Sequence, residues 1–117
     1  MKKMIAVAAI SMTVGWGVAQ SDFPKTKLEY HGHGFRVVRV RMEPHEKTGT
    51  HTDSGRYEIA LTTAVLMSHY PDGTSKELHI SQGTSAWSEP ITHWAENIGS
   101  TPFEEIEIIP DDEPATK

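Results

Sequence analysis

The stretch Ala64-Val65-Leu66-Met67-Ser68-His69-Tyr70-Pro71-Asp72-Gly73-Thr74-Ser75-Lys76-Glu77-Leu78-His79-Ile80-Ser81 decides the fold class. Two short runs flank Pro71-Asp72-Gly73. Asp-Gly supplies residues that tolerate positive φ, so the segment predicts two strands joined by a tight hairpin. In the second strand the alternation sets Leu78 and Ile80 inward. The same period of two runs through residues 36–42, which predicts a half-buried strand with Val38, Val40 and Met42 inward. Arg36, Arg39 and Arg41 form the only cationic cluster and read as its solvated side. Residues 44–55 are rich in Gly, Thr, Ser, Asp and Pro and read as a loop. Further strands are expected over residues 57–63, 93–98 and 103–109, the last with Ile106 and Ile108 inward between Glu105 and Glu107, and Ala86-Trp87 leads into a loop at Pro90. No stretch beyond the first twenty residues keeps helical periodicity for long. Short strands with turns at intervals of about ten residues predict an all-β sandwich or small barrel.

The chain has 117 residues, room for one domain. Met1-Lys2-Lys3-Met4 is positively charged, residues 5–10 are apolar, and Gly15, Gly17 and Ala19 supply small residues near a cleavage point after Ala19. Residues 1–20 therefore read as a bacterial Sec-type signal peptide, residues 21–110 as the β domain, and residues 111–117 as a disordered acidic tail. The mature protein is expected to begin near Gln20 or Ser21 and to reside in the periplasm or outside the cell. Spanning a bilayer takes about twenty apolar residues, more than the leader offers, so no membrane partner is expected after processing. Cysteine is absent, which excludes disulfides, thiolate metal sites and a catalytic thiol. The formal charge of −5 becomes −7 without Lys2 and Lys3. Phosphate backbones need a basic face, so nucleic acid is not an expected partner.

The residues that could carry chemistry fall in two segments about forty residues apart: Gly49-Thr50-His51-Thr52-Asp53 with Glu58 behind it, and His93-Trp94-Ala95-Glu96-Asn97. Folding that brings them together would make a metal or small-ligand pocket. The spacing resembles the cupin superfamily, small jelly-roll β-barrels. Their first motif runs Gly, five residues, His-x-His, three or four residues, Glu, six residues, Gly, and their second ends His, three residues, Asn. His51 matches the first histidine, Asp53 stands where the second is expected, and Glu58 follows after four intervening residues. His93 and Asn97 match the end of the second motif, with Gly83 ahead of them. Three features depart from the pattern. Gly49 lies too near His51, Val65 occupies the closing glycine position, and Pro90-Ile91-Thr92 replaces Pro-x-Gly.

The resemblance implies a jelly-roll barrel over most of the mature chain, a homodimer, and a divalent metal (Zn, Mn or Fe) held by His51, His93 and a carboxylate from Asp53 or Glu58. Asp53 could instead cap a turn. Glu58 could face outward, since Tyr57 and Ile59 make the more natural inward pair. Trp87 and Trp94 are expected to line the cavity with Asn97 and Glu96, and Glu96 could move a proton. His31-Gly32-His33 reads as a flexible lead into a strand, and His45, His69 and His79 read as solvated. No nucleophile elbow, phosphate loop or zinc-protease helix is present. The expected function is an exported small cupin that binds a divalent metal, a small organic ligand, or both. The alternative is a metal-free, non-catalytic binding protein.

Overall fold

Antiparallel pairing organises every strand among the described residues. The computed structural model describes residues 24–111; the expected signal peptide and all but the first residue of the expected tail lie outside them. Nine strands follow in order: β1 (Lys25–Gly32), β2 (Phe35–Met42), β3 (His51–Asp53), β4 (Arg56–Ala60), β5 (Ala64–His69), β6 (Ser75–Ile80), β7 (Ser85–Ser88), β8 (Ile91–Asn97) and β9 (Phe103–Pro110). They form a five-stranded sheet in the order β1-β2-β9-β4-β7 and a four-stranded sheet in the order β3-β8-β5-β6. The all-β class stands, with no helix among the described residues.

The β5–β6 hairpin forms where its sequence predicts. The Gly73 amide donates to Tyr70 O at 3.0 Å, and the Asp72 carboxylate accepts from the Thr74 amide and hydroxyl. Gly73 takes φ 90°, while Asp72 keeps an ordinary negative φ. The loop is thus a turn closed by one left-handed glycine. The core lies between the sheets, where Val40, Met42 and Phe103 from one meet Ala64, Leu66 and Ala95 from the other. Val38, Leu78 and Ile80 pack against this cluster, as their alternation predicts.

Three expectations need correction. His31-Gly32-His33, expected to be a flexible lead, instead closes a strand, β1 (Lys25–Gly32), of which nearly all is exposed. This strand pairs with β2 through a two-residue turn in which His33 and Gly34 both have positive φ (55° and 88°), the geometry that matches strand twist in a hairpin. The 44–55 loop contains β3, a three-residue edge strand on β8. The inward parity of β9 is opposite to that expected, and on β4 the side that carries Glu58, open between ligand and outward residue in the sequence, faces in. Met42 pairs with Phe103, Val40 with Glu105 and Val38 with Glu107. Residues directly opposite in an antiparallel ladder share a face, so Glu105 and Glu107 point between the sheets. Ile106 and Ile108 lie on the outer face. On β4 the inward residues are Arg56, Glu58 and Ala60, and Tyr57 and Ile59 face out.

Asn97 holds the two sheets together at one end. It is fully buried, and its side-chain amide donates to Met42 O (3.1 Å) and Thr101 O (2.9 Å) while its Oδ1 accepts from the Gly99 amide (3.0 Å). Asn97→Ala leaves three backbone groups without their partner. It is expected to cost about 2–4 kcal/mol, read as a lower urea midpoint at unchanged slope.

Candidate functional site

Between the sheets lies a cavity of about 510 Å³, lined by residues of both. Its polar end is built by the β3–β8 pairing. His51 stands directly opposite His93 in that ladder, and Asp53, two residues along β3, shares the face with them. The two imidazole rings lie 5.0 Å apart, centre to centre. Asp53 Oδ2 is 3.1 Å from His93 Nε2 and 3.3 Å from His51 Nε2.

Hydrogen bonds on the far side of each ring orient it. His51 Nδ1 lies 2.9 Å from Gly49 O. A carbonyl can only accept, so Nδ1 carries the hydrogen and the Nε2 lone pair of a neutral ring faces Asp53. His93 Nδ1 lies 2.5 Å from the hydroxyl of Ser68, which is buried, and the Tyr70 ring stacks near it at 6.4 Å. With neutral His51, a nitrogen lone pair and a carboxylate oxygen face each other at 3.3 Å, an arrangement that a bound cation or a proton makes favourable. A metal with bonds of about 2.1 Å sets its neighbouring ligand atoms about 3.0–3.4 Å apart, and both carboxylate–imidazole distances fall in that range. The three residues therefore fit the two-histidine, one-carboxylate set that suits borderline divalent metals. Burial raises the Asp53 pKa, but the His93 contact and the nearby Arg56 and His51 outweigh it and hold the carboxyl below its usual range.

Glu58 lies apart from this group. Its carboxylate accepts from Arg56 Nη2 at 2.7 Å and from Ser88 Oγ at 2.6 Å, and it clusters with Glu105 and Glu107. Arg56, nearly fully buried, also lies 3.7 Å from Asp53 and 3.4 Å from Glu107. Glu105 is only 8% exposed. Burial, with Glu107 and Glu58 beside it, pushes its pKa up to about 11, so it is neutral at physiological pH.

The other expected pocket residues are elsewhere. Trp87 is 49% exposed on the outer face, where it covers Gly55 so closely that a Cβ there would come within 2.8 Å of the ring. Trp94 stacks on His69 at 3.7 Å on the outer face of the smaller sheet. Glu96 lies on that same face, 3.3 Å from His69, and so cannot pass a proton into the cavity. Asn97 is the structural clamp described above. The parity of β8 explains Trp94, Glu96 and Asn97, since His93, Ala95 and Asn97 alternate inward and Trp94 and Glu96 alternate outward.

No protein-family model matches the sequence, and no curated protein matches it. Solved structures do. A cupin domain from Bordetella pertussis Tohama I superposes with a TM-score of 0.69 at 24% identity, over 82% of this chain and 100% of that one. This is a cupin fold. A double-stranded β-helix protein from Klebsiella pneumoniae follows at TM-score 0.57 and 18% identity, over 75% of this chain and 76% of that one. A cupin 2 barrel protein from Salinispora arenicola has TM-score 0.54 at 17% identity, over 87% and 91%. In this cupin fold the motif spacing located His51, Asp53 and His93 together, but it gave no hint of Ser68, Arg56, Glu105 or Glu107. The available signal was parity: Phe103 is apolar and shares its side of β9 with Glu105 and Glu107.

The raised pKa of Glu105 makes a stability prediction. The folded protein keeps a proton that the unfolded chain releases above about 4.5, so this group's contribution is complete below that pH and is lost as pH rises toward about 11. Glu105→Gln mimics the neutral acid. It is expected to flatten the fall in melting temperature between about pH 5 and pH 9, and a wild-type slope left unchanged would contradict a neutral Glu105.

Proposed function

We propose that the chain is an exported cupin-fold protein that binds a divalent metal through His51, Asp53 and His93 and receives a small molecule in the cavity beside it. One observation carries this reading. The Gly49 carbonyl fixes the His51 tautomer, and ligand atoms of two imidazoles and one carboxylate converge within 4.8 Å of one another. When bound, such a metal supplies Lewis acidity and open coordination positions. The chain's own part is to orient the ligands, through Gly49 and Ser68, and to shield them between two sheets. Asp53 stays ionised because Arg56 and the imidazoles surround it, and the carboxylate is then ready to ligate over the physiological range.

The test is metal content of untagged protein after dialysis against zinc, manganese or iron(II). About one equivalent is expected in the wild type and none in His51→Ala/His93→Ala. A wild type that takes up no metal sinks this reading and favours a metal-free binding protein.

Export and dimerisation belong to the same proposal. Export is supported by the leader sequence. For a dimer, the support is an apolar row across the outer face of the five-stranded sheet, where Tyr30 pairs with Val37, Val37 with Ile108, Ile108 with Tyr57 and Tyr57 with Trp87. Beside this row Arg39 and Arg41 are neutralised by Glu29, Glu43 and Glu104, so a second copy would meet little unpaired charge. Protein recovered from the periplasm is expected to begin near Gln20 or Ser21 and to show the mass of a dimer by light scattering. An intact Met1 or a monomer mass would remove the corresponding part.

A further inference from the structure

His51 and His93 stand opposite each other in the β3–β8 ladder, yet the groups behind their rings differ in kind. Behind His51 lies Gly49 O, 2.9 Å from Nδ1. A carbonyl only accepts, so the hydrogen of that neutral ring is held on Nδ1 and Nε2 keeps its lone pair. Behind His93 lies the Ser68 hydroxyl, 2.5 Å from Nδ1 and the one hydrogen-bond partner of that nitrogen among the described residues. A hydroxyl both donates and accepts, and its hydrogen turns to suit.

The cavity side of His93 fixes its state in the metal-free protein. Nε2 lies 3.1 Å from Asp53 Oδ2 with the geometry of a hydrogen bond, and an ionised carboxylate can only accept. The hydrogen of the neutral His93 ring therefore sits on Nε2, and Nδ1 accepts from Ser68. That is the wrong tautomer for a ligand. Coordination uses the Nε2 lone pair, so the ring hydrogen must then sit on Nδ1 and be donated outward. His51 needs no such change.

Ser68 is placed to serve both states. The inward positions of β5 are Ala64, Leu66 and Ser68, and Ser68 is only 1% exposed. Burying a hydroxyl among apolar side chains is unfavourable unless it is hydrogen-bonded, and the contact with His93 is the one side-chain bond Ser68 makes among the described residues. Packing alone would be served by alanine, the residue at inward position 64 and directly across the ladder at position 95.

We infer that Ser68 is a positioning residue that allows His93 to change tautomer when the site is loaded, an inference that rests on the metal reading given above. Without metal, the Ser68 hydroxyl donates to Nδ1 while the Nε2 hydrogen ties His93 to Asp53. On loading, Nε2 gives its proton to solvent and Nδ1 takes one up, so the ring stays neutral. Ser68 Oγ then accepts from Nδ1, and its own hydrogen turns toward the cavity that Ser68 lines. Gly49 presets one imidazole, and Ser68 switches the other.

Nitrogen-15 NMR of the whole protein labelled at histidine tests this at about pH 8, where an ordinary imidazole is neutral. The ring-nitrogen shifts report each tautomer, and zinc is the probe because its filled d shell leaves the spectrum undisturbed. Metal-free protein is expected to show Nε2–H at His93 and Nδ1–H at His51, and zinc-loaded protein Nδ1–H at both. In Ser68→Ala the metal-free His93 keeps Nε2–H, since Asp53 still accepts from it, which tells an intact site from a misfolded one. Zinc affinity of this variant, measured by chelator competition, is expected to fall about ten- to a hundredfold, because its loaded His93 holds a buried Nδ1–H without an acceptor. A metal-free His93 already on Nδ1–H, a loaded His93 still on Nε2–H, or a Ser68→Ala protein that binds zinc within about twofold of wild type overturns the inference. Any of these beside zinc uptake by the wild type leaves the metal reading standing, whereas a wild type that binds no zinc removes both.

Discussion

The pairing of β3 with β8 is the contact on which the site depends. Only three residue pairs form it, yet it sets His51 opposite His93 and carries Asp53 onto the same face. Antiparallel geometry then does what neither segment can do alone: it brings three ligand atoms from positions 51, 53 and 93 within 4.8 Å of one another. The short strand is held at its N-terminal side by the Thr48 amide donating to Ala95 O and by the Ala95 amide donating to Thr48 Oγ1. The loop before it is tied to the end of β8 through His45, Glu46 and Asn97 backbone groups. An edge strand of three residues has little stability of its own, so these ties, more than its ladder, keep the imidazoles in register.

Arg56 is the second organising element. Removing a guanidinium from water is costly unless carboxylates surround it, and here Asp53, Glu58 and Glu107 do so while burial works against them. The arginine thereby connects the metal-competent end of the cavity with its acidic wall. Replacing these groups by apolar residues of similar volume would give a sandwich core at least as stable.

The outer faces explain why hydrophobic alternation misleads in this chain. In β9 the isoleucines alternate with glutamates, and burial of apolar groups ordinarily sets the inward side. Ile108 instead joins the apolar row on the outside of the larger sheet, with Ile106 beside it against Ile59, and the glutamates turn in because Phe103, on their side of the strand, packs into the core with Met42. The same inversion puts Tyr57 outside and Glu58 inside. For β8 the pattern gave no warning either, since Trp94 finds an outward partner in the ring of His69 rather than a place in the cavity.

The all-β class, the β5–β6 hairpin and the inward faces of β2 and β6 could be read from the chain because each is a local matter: a turn that needs Gly73, or a period of two over a few residues. The grouping of His51, Asp53 and His93 was legible only as motif spacing, which says that positions belong together and not how. Which face of β4 and β9 meets the cavity was fixed by their pairing partners, through registers running from β2 to β7. Sequence fixes what a strand offers on each side, but the energy that selects a side is shared among neighbours, and for Glu58, Glu105 and Glu107 that choice is made only when the whole sheet is assembled.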